Sequence, residues 1–477
     1  MSCTAIVMAC ARAPRPGSAL LALTPLVLAA LGNFPVAATA QAHKSGATEP
    51  TAPYVTKSGD TLYAIAAQYL RNSQDWKVLS RLNHVPAPRR MQPGIELRLP
   101  VALLKQERLS ASVVDLNGPV EHAYRDGPFS PLDSGATLGE GDVVRTGHNG
   151  FVTLELADGT HLSVSQDSMI DLGTLRRTVL TGATDREINL RRGEVDSEVT
   201  HATKPDDRFQ IHSPSVVAGV RGTRFRVNYD LDGQVSAVEV LEGTVDVGAS
   251  AAKASPSARQ VQGVLQPMPD QMVHAHFGSV THLQGTVGVP VALLAAPQLS
   301  DPAKMQDEPA VAFDLIPLAG AKSYRVEIAR DAGMLDLIRE THVDAPHAAF
   351  SEVPDGTYFV RISAVDGNAL EGLPQIYAFQ RRQFGLAASA GPRAASRDYE
   401  FRWLTDQHDV ETRFRFVLAR TPDLRDPIVD QVDISAGKLV VSDLPRGVYY
   451  WTVVGEQFEN GKFYEKASAI RSFTLDY

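Results

Sequence analysis

Several short stretches carry residue types that could do chemistry. Residues 219–225, "GVRGTRF", put two glycines and two arginines in seven positions, on a chain whose net charge is −9. A glycine-rich loop of that kind could cradle a phosphate, but phosphate loops need a strand, a turn and then a helix, whereas Pro214 precedes this stretch and an alternating strand follows it. Nucleic-acid readout calls for a net basic domain with interleaved aromatics, so nucleic acid is excluded as a partner. "HAYRD" (122–126) and "HAH" (274–276) supply the His-x-x-x-Asp and His-x-His patterns of a zinc endopeptidase. They lie in separate segments without the glycine-rich context of that chemistry, and the reading is of exposed loop histidines with no metal site. No GxSxG elbow or HExxH occurs. The carboxylate pairs Asp206-Asp207 and Asp185/Glu187 sit in polar, surface-like stretches. The expectation is a protein without a catalytic residue or a cofactor.

Both cysteines, Cys3 and Cys10, fall in the first forty residues, where Arg12 and Arg15 precede the apolar run "SALLALTPLVLAALG" and the small residues "ATA" end at Ala40. This is the pattern of a signal peptide (1–40) cleaved near Ala40 or Ala42, and the chain is expected to be exported to the periplasm or cell envelope of a Gram-negative bacterium. The apolar run falls short of the roughly 20 residues that a spanning helix needs, and no integral membrane segment is expected after cleavage. An uncleaved, tethered chain stays open. Without cysteine the mature protein would hold no disulfide, thiolate zinc site or cysteine nucleophile.

Positioning elements divide the remainder into modules, as its length requires. Residues 41–53 read as a linker. From 54 to 100 the pattern is strand, helix, helix, strand: Asp60 or Thr61 caps a helix with Leu62, Ile65, Ala66 and Tyr69 on one face, Ser73 caps a second with Trp76, Leu79 and Leu82, and Pro93-Gly94 turns into "IELRLP". Lys57, Arg71, Lys77, Arg81, Arg89, Arg90 and Arg98 outnumber Asp60, Asp75 and Glu96 here, which suits an anionic partner or a solvated basic face.

"SGDTLYAIA", "W..LSRLN" and "PGIELRLP" resemble a LysM module, small and α+β, along its entire length. The resemblance implies binding of peptidoglycan or another N-acetylglucosamine-containing glycan. The groove would use Gly59, Asp60, Thr61, Leu62 and Tyr63 on one side and Asn83, His84 and Val85 on the other, with backbone amides and the aromatic ring meeting acetamido groups. The family usually has aliphatic residues where His84, Pro86 and Pro88 stand.

Residues 110–248 alternate with period two between glycines. "FVTLELADGTHLSV" is a hairpin turning at Asp158-Gly159. "INLRRGEVD" (188–196) and "VEVLEGTVD" (238–246) repeat a pattern with glycine at 193 and 243, which predicts a rolled β architecture with recurring sheet corners. Extending "RGTRFRVNY" as one strand puts Arg221, Thr223, Phe225, Val227 and Tyr229 inward and Arg224, Arg226 and Asn228 outward, so Arg221 is expected buried. "LGEGDVVRTGHNGFVTLELADGTHLSV", "LRRGEVDSEV", "HSPSVVAGVRGTRFRV" and "VEVLEGTVDV" resemble a FecR domain, a β-rich roll or jelly-roll-like fold in which Gly219, Arg221, Gly222 and Thr223 would form a structural motif. The family's best-known members relay envelope signals, through a cytoplasmic segment and a membrane helix that this sequence does not show. The resemblance implies an envelope-facing domain with a ligand or an envelope protein partner.

Residues 249–296 read as a linker with connecting strands. After them the chain repeats: "YRVEIARD" (324–331) aligns with "FRFVLART" (414–421), and "VPDGTYFVRISAVD" (353–366) with "LPRGVYYWTVVGEQ" (444–457). Two β-sandwiches of about 90 residues, 297–384 and 385–477, follow from that repeat. They resemble fibronectin type III-like domains, with Tyr358 and Tyr449 at the tyrosine-corner position and Trp403, or Leu315 in the first copy, at the early core position. The whole is a multidomain, mainly β chain: a non-catalytic envelope protein that binds wall glycan, with an envelope signal-transduction component and a peptidoglycan hydrolase as the competing readings.

Overall fold

The leading strand pairs closer to the end of the polar linker than the sequence suggests: Thr51–Val55 runs antiparallel to Glu96–Pro100, from Thr51 opposite Pro100 to Val55 opposite Glu96. The coordinates are a computed structural model that describes residues 50–85, 91–250, 271–302, 305–394, 396–406, 410–459 and 461–476. The segment expected to be a signal peptide, most of the 41–53 linker, Arg89 and Arg90 lie outside the described residues. Between the two strands stand the helices Leu62–Tyr69 and Trp76–Leu82. Thr61 caps the first, its Oγ1 accepting the Ala64 amide at 3.0 Å. The second is preceded by a 3-10 turn, Ser73–Asp75, whose cap is Asn72 rather than Ser73. Leu62, Ile65, Leu79, Leu97 and Leu99 close a small core over the strand pair.

Residues 106–292 pair into a closed roll. The hairpin of Phe151–Leu156 and His161–Val164 has Leu154 opposite Leu162, as alternation around Asp158-Gly159 predicts. Long strands pass from one side of the roll to the other at the repeated glycines. Thr184–Glu198 pairs with Met169–Thr178 and Arg208–His212 up to its middle, then with Arg224–Asp230 from Gly193 onward. Val235–Glu242 and Thr244–Ala249 divide in the same way at Gly243. Both glycines sit at positive φ, +77° and +82°, and a Cβ on Gly193 would stand 2.2 Å from Ser168 Oγ. A side chain fits neither the backbone angle nor the space, which is why the corner repeats with its glycine. Val144, Leu154, Ile170, Leu190, Ile211, Phe225, Val238 and Val245 fill the interior. The strip taken as linker and connecting strands also contributes: Gln271–His274 pairs with Thr244–Val247, and Phe277–His282 with Val235–Val240.

Two sandwiches complete the described chain. In the first, Ser323–Ala329 lies between Leu337–Val343 and Gly356–Val365, with Gln375–Arg381 beyond, and Val311–Asp314 paired to His347–Phe350 faces them. In the second, Thr412–Ala419 and Gly447–Glu459 take the equivalent central places, over Leu386–Pro392, Tyr399–Thr405 and Lys438–Val441. Trp403 is buried beside Phe414 and Phe416, and Leu315 is buried in the first copy. Tyr449 closes its corner with a hydroxyl bond of 2.5 Å to the Pro445 carbonyl.

Residues 50–477 form one compact unit, and its modules dock on one another. The Lys105 amide donates to Tyr69 O at 2.7 Å and the Val179 amide to Lys105 O at 3.0 Å, while Leu180 packs on the small helical core. Phe151 of the roll clusters with Ala329, Met334 and Leu337 of the first sandwich, and Thr153 Oγ1 donates to Leu335 O at 2.6 Å. Arg382 stacks over Tyr464 at 3.9 Å and reaches Glu459 at 2.5 Å, joining the sandwiches.

Candidate functional site

The helical module holds its two loops by hydrogen bonds that consume several of the residues singled out for binding. Asp60 Oδ2 accepts from the Tyr54 hydroxyl at 2.8 Å and the Lys57 amide at 2.7 Å. Burial, with that hydrogen bond and the Asp60 charge, pushes the Tyr54 phenol up to about 12, so it stays a donor throughout the physiological range. Thr61 is a helix cap and Leu62 is fully buried in the core. Asn83 spends its whole amide on backbone: Nδ2 donates to Leu79 O at 3.0 Å and Arg98 O at 2.9 Å, and Oδ1 accepts the Arg98 amide at 2.7 Å. Val85 is tied to the second helix through Ser80 and packs on the core.

That leaves a division of labour. Gly59 (φ +90°), Tyr63 and His84 (φ +52°) are exposed, Tyr63 at 53 %. Both loops are anchored near the closing strand, the first by Gly94 N, in the turn before it, to Thr56 O at 2.8 Å and the second by Asn83 to Arg98. An exposed aromatic ring and an imidazole on two fixed loops can stack on a sugar face and hydrogen-bond its substituents. Asp60, Thr61 and Asn83 shape the loops, and Leu62 and Val85 support them from beneath.

The "GVRGTRF" stretch departs from the sequence reading. Arg221 is exposed, its guanidinium bonding the Lys204 and Pro205 carbonyls, whereas Arg226 is 1 % exposed. The expected burial order of these arginines is therefore reversed. The strand begins only at Arg224, because Arg221-Gly222 forms a turn in which Gly222 takes φ +113° and abuts His201. Period two holds from Thr223 on: Thr223, Phe225, Val227 and Tyr229 are buried inward. Gly219 lies on the preceding strand, opposite Gln210 and Asp246. What alternation could not reveal is that the outward face is covered too. The first sandwich lies on it, and Arg226 reaches Glu371, donating also to Glu371 O at 3.1 Å and Gly372 O at 2.8 Å.

The histidine patterns stay apart from any cluster. His122 is on the strand Val120–Tyr124 and Asp126 in the exposed turn after it, while His274 is bonded to Thr244 Oγ1 at 3.3 Å. Among the described residues no group of three or more histidine, cysteine, aspartate or glutamate side chains could hold a metal ion. No helix among them is long and apolar enough to cross a membrane.

Residues 54–100 match the family model described as LysM domain, and residues 142–246 the one described as FecR protein. No curated protein matches the chain. Among solved structures, a candidate anti-sigma factor of Parabacteroides distasonis ATCC 8503 is similar over 31% of this chain at 15% identity and TM-score 0.24, and the match spans 59% of that protein's length. The FN1-FN3 domains of chicken CNTN1 are similar over 51% of this chain and 99% of theirs, at 13% identity and TM-score 0.22. The fibronectin(III)-like modules of Clostridium thermocellum CbhA are similar over 37% of this chain and 90% of theirs, at 13% identity and TM-score 0.19. The chain is mainly β and combines a region that matches the LysM model, a region that matches the FecR model and two β-sandwiches.

Proposed function

We propose that this is a non-catalytic cell-envelope protein of the periplasm, anchored on peptidoglycan by its LysM region and presenting a FecR region docked against a sandwich. The observation that carries the reading is the exposure of Tyr63 and His84 on loops where Asp60, Thr61 and Asn83 are already satisfied within the fold. An exposed aromatic on a fixed, shallow surface suits an extended polymer that must bind without being cut. Gly59, Asp60, Thr61, Leu62, Tyr63, Asn83, His84 and Val85 are the proposed glycan-binding set, with Tyr63 and His84 in contact and the others supporting. No cofactor is part of this function.

Co-sedimentation of the full chain with purified peptidoglycan tests it, with soluble N-acetylglucosamine oligomers as competitor. Tyr63→Ala combined with His84→Ala should abolish most of the sedimented fraction while leaving the far-ultraviolet spectrum unchanged. Undiminished sedimentation of that variant would sink the assignment.

The match of residues 142–246 to the FecR family favours a second reading, a component of an envelope signal-transduction system that works through a protein partner. Wall binding and a signalling role are compatible, the first setting where the second operates. The hydrolase reading is tested by zymography on purified walls with and without zinc, where a clearing band lost in His276→Ala would overturn the non-catalytic proposal.

A further inference from the structure

The face on which the roll meets the first sandwich is built from charge. From the roll come Glu194 and Asp196 on Thr184–Glu198, Arg226 on Arg224–Asp230 and Glu239 on Val235–Glu242, each at most 8 % exposed. From the sandwich come Arg325 and Glu327 on Ser323–Ala329, Glu340 on Leu337–Val343, Arg361 on Gly356–Val365 and Glu371 in the loop after it. Arg325 pairs with Glu194 across the interface and lies 2.9 Å from Glu371, 3.3 Å from Glu327 and 3.2 Å from Glu340. Arg361 grips Glu327 at 2.5 Å and crosses to Asp196 at 2.7 Å. The Glu371 amide donates across the interface to Glu239 Oε1 at 3.2 Å, and Arg226 returns the contact to Glu371.

This set is out of balance. Six carboxylates face the three arginines and Arg224, which stands half-buried beside Asp196. Two negative charges are left over among side chains largely shielded from water, and uncompensated buried charge is costly. Protons are the compensation the geometry allows, and two carboxyls are placed to hold them. Glu239 looks toward Arg226, Glu194 and Glu371, with uncharged Gly278 on its other flank. Glu340 has Arg325 on one oxygen and, among the described residues, no hydrogen-bond partner on the other. It is also faced by Glu327, Glu194 and the exposed His342, 3.3 Å away. His148, Arg330, Arg339 and Glu352 line the adjoining cleft of about 500 Å³.

We propose that this interface is a proton-operated latch, which closes the first sandwich onto the roll with the uptake of two protons by Glu239 and Glu340 and loosens as the pH rises from mild acidity through neutrality. The device needs no glycan and does not rest on the wall-binding reading.

The direction of the titration follows from burial. Desolvation, with the charges of Glu194 and Glu371 and against that of Arg226, pushes Glu239 up to about 8. Desolvation, with Glu327 and Glu194 and against Arg325, pushes Glu340 up to about 7. Both return to the ordinary glutamate range when the faces part, so the closed form binds more protons than the open one. The favourable contribution of these groups to closure is therefore complete below about pH 4.5, declines progressively above it, and is exhausted once the pH has risen through 7 and 8. Glu371 works in the opposite sense: burial opposes its ionisation, yet Arg226, Arg325 and the Ser363 hydroxyl hold it down to about 2, so its contribution is lost only in strong acid. The latch is tightest in mildly acidic solution.

Amide hydrogen exchange of the full chain reads the opening directly, at the Glu371 amide and at the peptides covering 224–230 and 323–329. After correction for intrinsic exchange, the opening constant should rise up to about a hundredfold from pH 6 to pH 7, tenfold per proton, and level off above about pH 9. Glu239→Gln with Glu340→Gln mimics the protonated carboxyls, keeps an acceptor for the Glu371 amide, and should reduce that rise to threefold or less. A wild-type chain whose interface exchange is flat across pH 6 to 9 overturns the proposal, and this arm needs no variant to fold. A double variant with the wild-type slope overturns the assignment to these two carboxyls. Scattering at pH 9 should show a larger radius of gyration for wild type than for the double variant, and equal radii count against the latch.

Discussion

Replacing Arg226 should damage the fold far more than replacing Arg221, although both belong to one arginine-rich stretch. Arg226 is 1 % exposed and bonds one carboxylate and two carbonyls of the sandwich. Breaking a buried pair by removing one partner costs about 3–5 kcal/mol, because the surviving charge stays buried. Glu371 would keep Arg325 at 2.9 Å and Ser363 at 2.5 Å, which places Arg226→Ala near the low end, about 3 kcal/mol. Arg221 bonds two carbonyls from an exposed position, and Arg221→Ala should cost about 1 kcal/mol or less. Arg226→Lys should fall between, since one ammonium cannot serve a carboxylate and two carbonyls in the geometry of a planar fork. Urea unfolding at pH 7, with hydrogen exchange at Val227 and Val238 to identify the transition of the roll, measures all three. Equal losses for Arg221→Ala and Arg226→Ala would refute the reasoning, because they would mean that the interface contributes nothing the exposed turn does not.

Other perturbations probe separate parts of the chain. Gly193→Ala should cost more than the roughly 1 kcal/mol of an unfavourable backbone angle, because its Cβ would also collide with Ser168; a melting temperature within a degree of wild type would contradict the corner assignment. Asn83→Ala removes three bonds to backbone and should destabilise the LysM region by about 2 kcal/mol, read as faster exchange in residues 76–83 than in the roll. Tyr449→Phe should cost the second sandwich about 1 kcal/mol, visible in denaturant unfolding, while Tyr358→Phe provides the matched comparison in the first.

Much of the fold was legible because it depends on local rules. The Thr61 cap, the Asp158-Gly159 hairpin and the glycines at 193 and 243 each mark a place where only certain residues satisfy the backbone. The loops proposed to bind glycan were legible as a segment but not as roles: the resemblance puts Asn83 in the groove, and only the strand beside it shows that its amide is spent on Arg98. Ser73 reads as a cap, and the preceding Asn72 takes the position because the chain enters the helix through a 3-10 turn.

Alternation in the sequence determined which side chains share a face. It put Phe225, Val227 and Tyr229 together, and likewise Tyr324, Val326 and Ile328, and both sets are core. It also put Arg226, Glu239, Arg325, Glu327 and Arg361 on the opposite faces, where charge normally meets water. Only the tertiary structure decided that these faces meet each other. The physical reason is that a period of two records which groups differ in polarity and says nothing of what covers the polar side, and a charged face is satisfied equally by solvent or by a complementary charged face folded onto it.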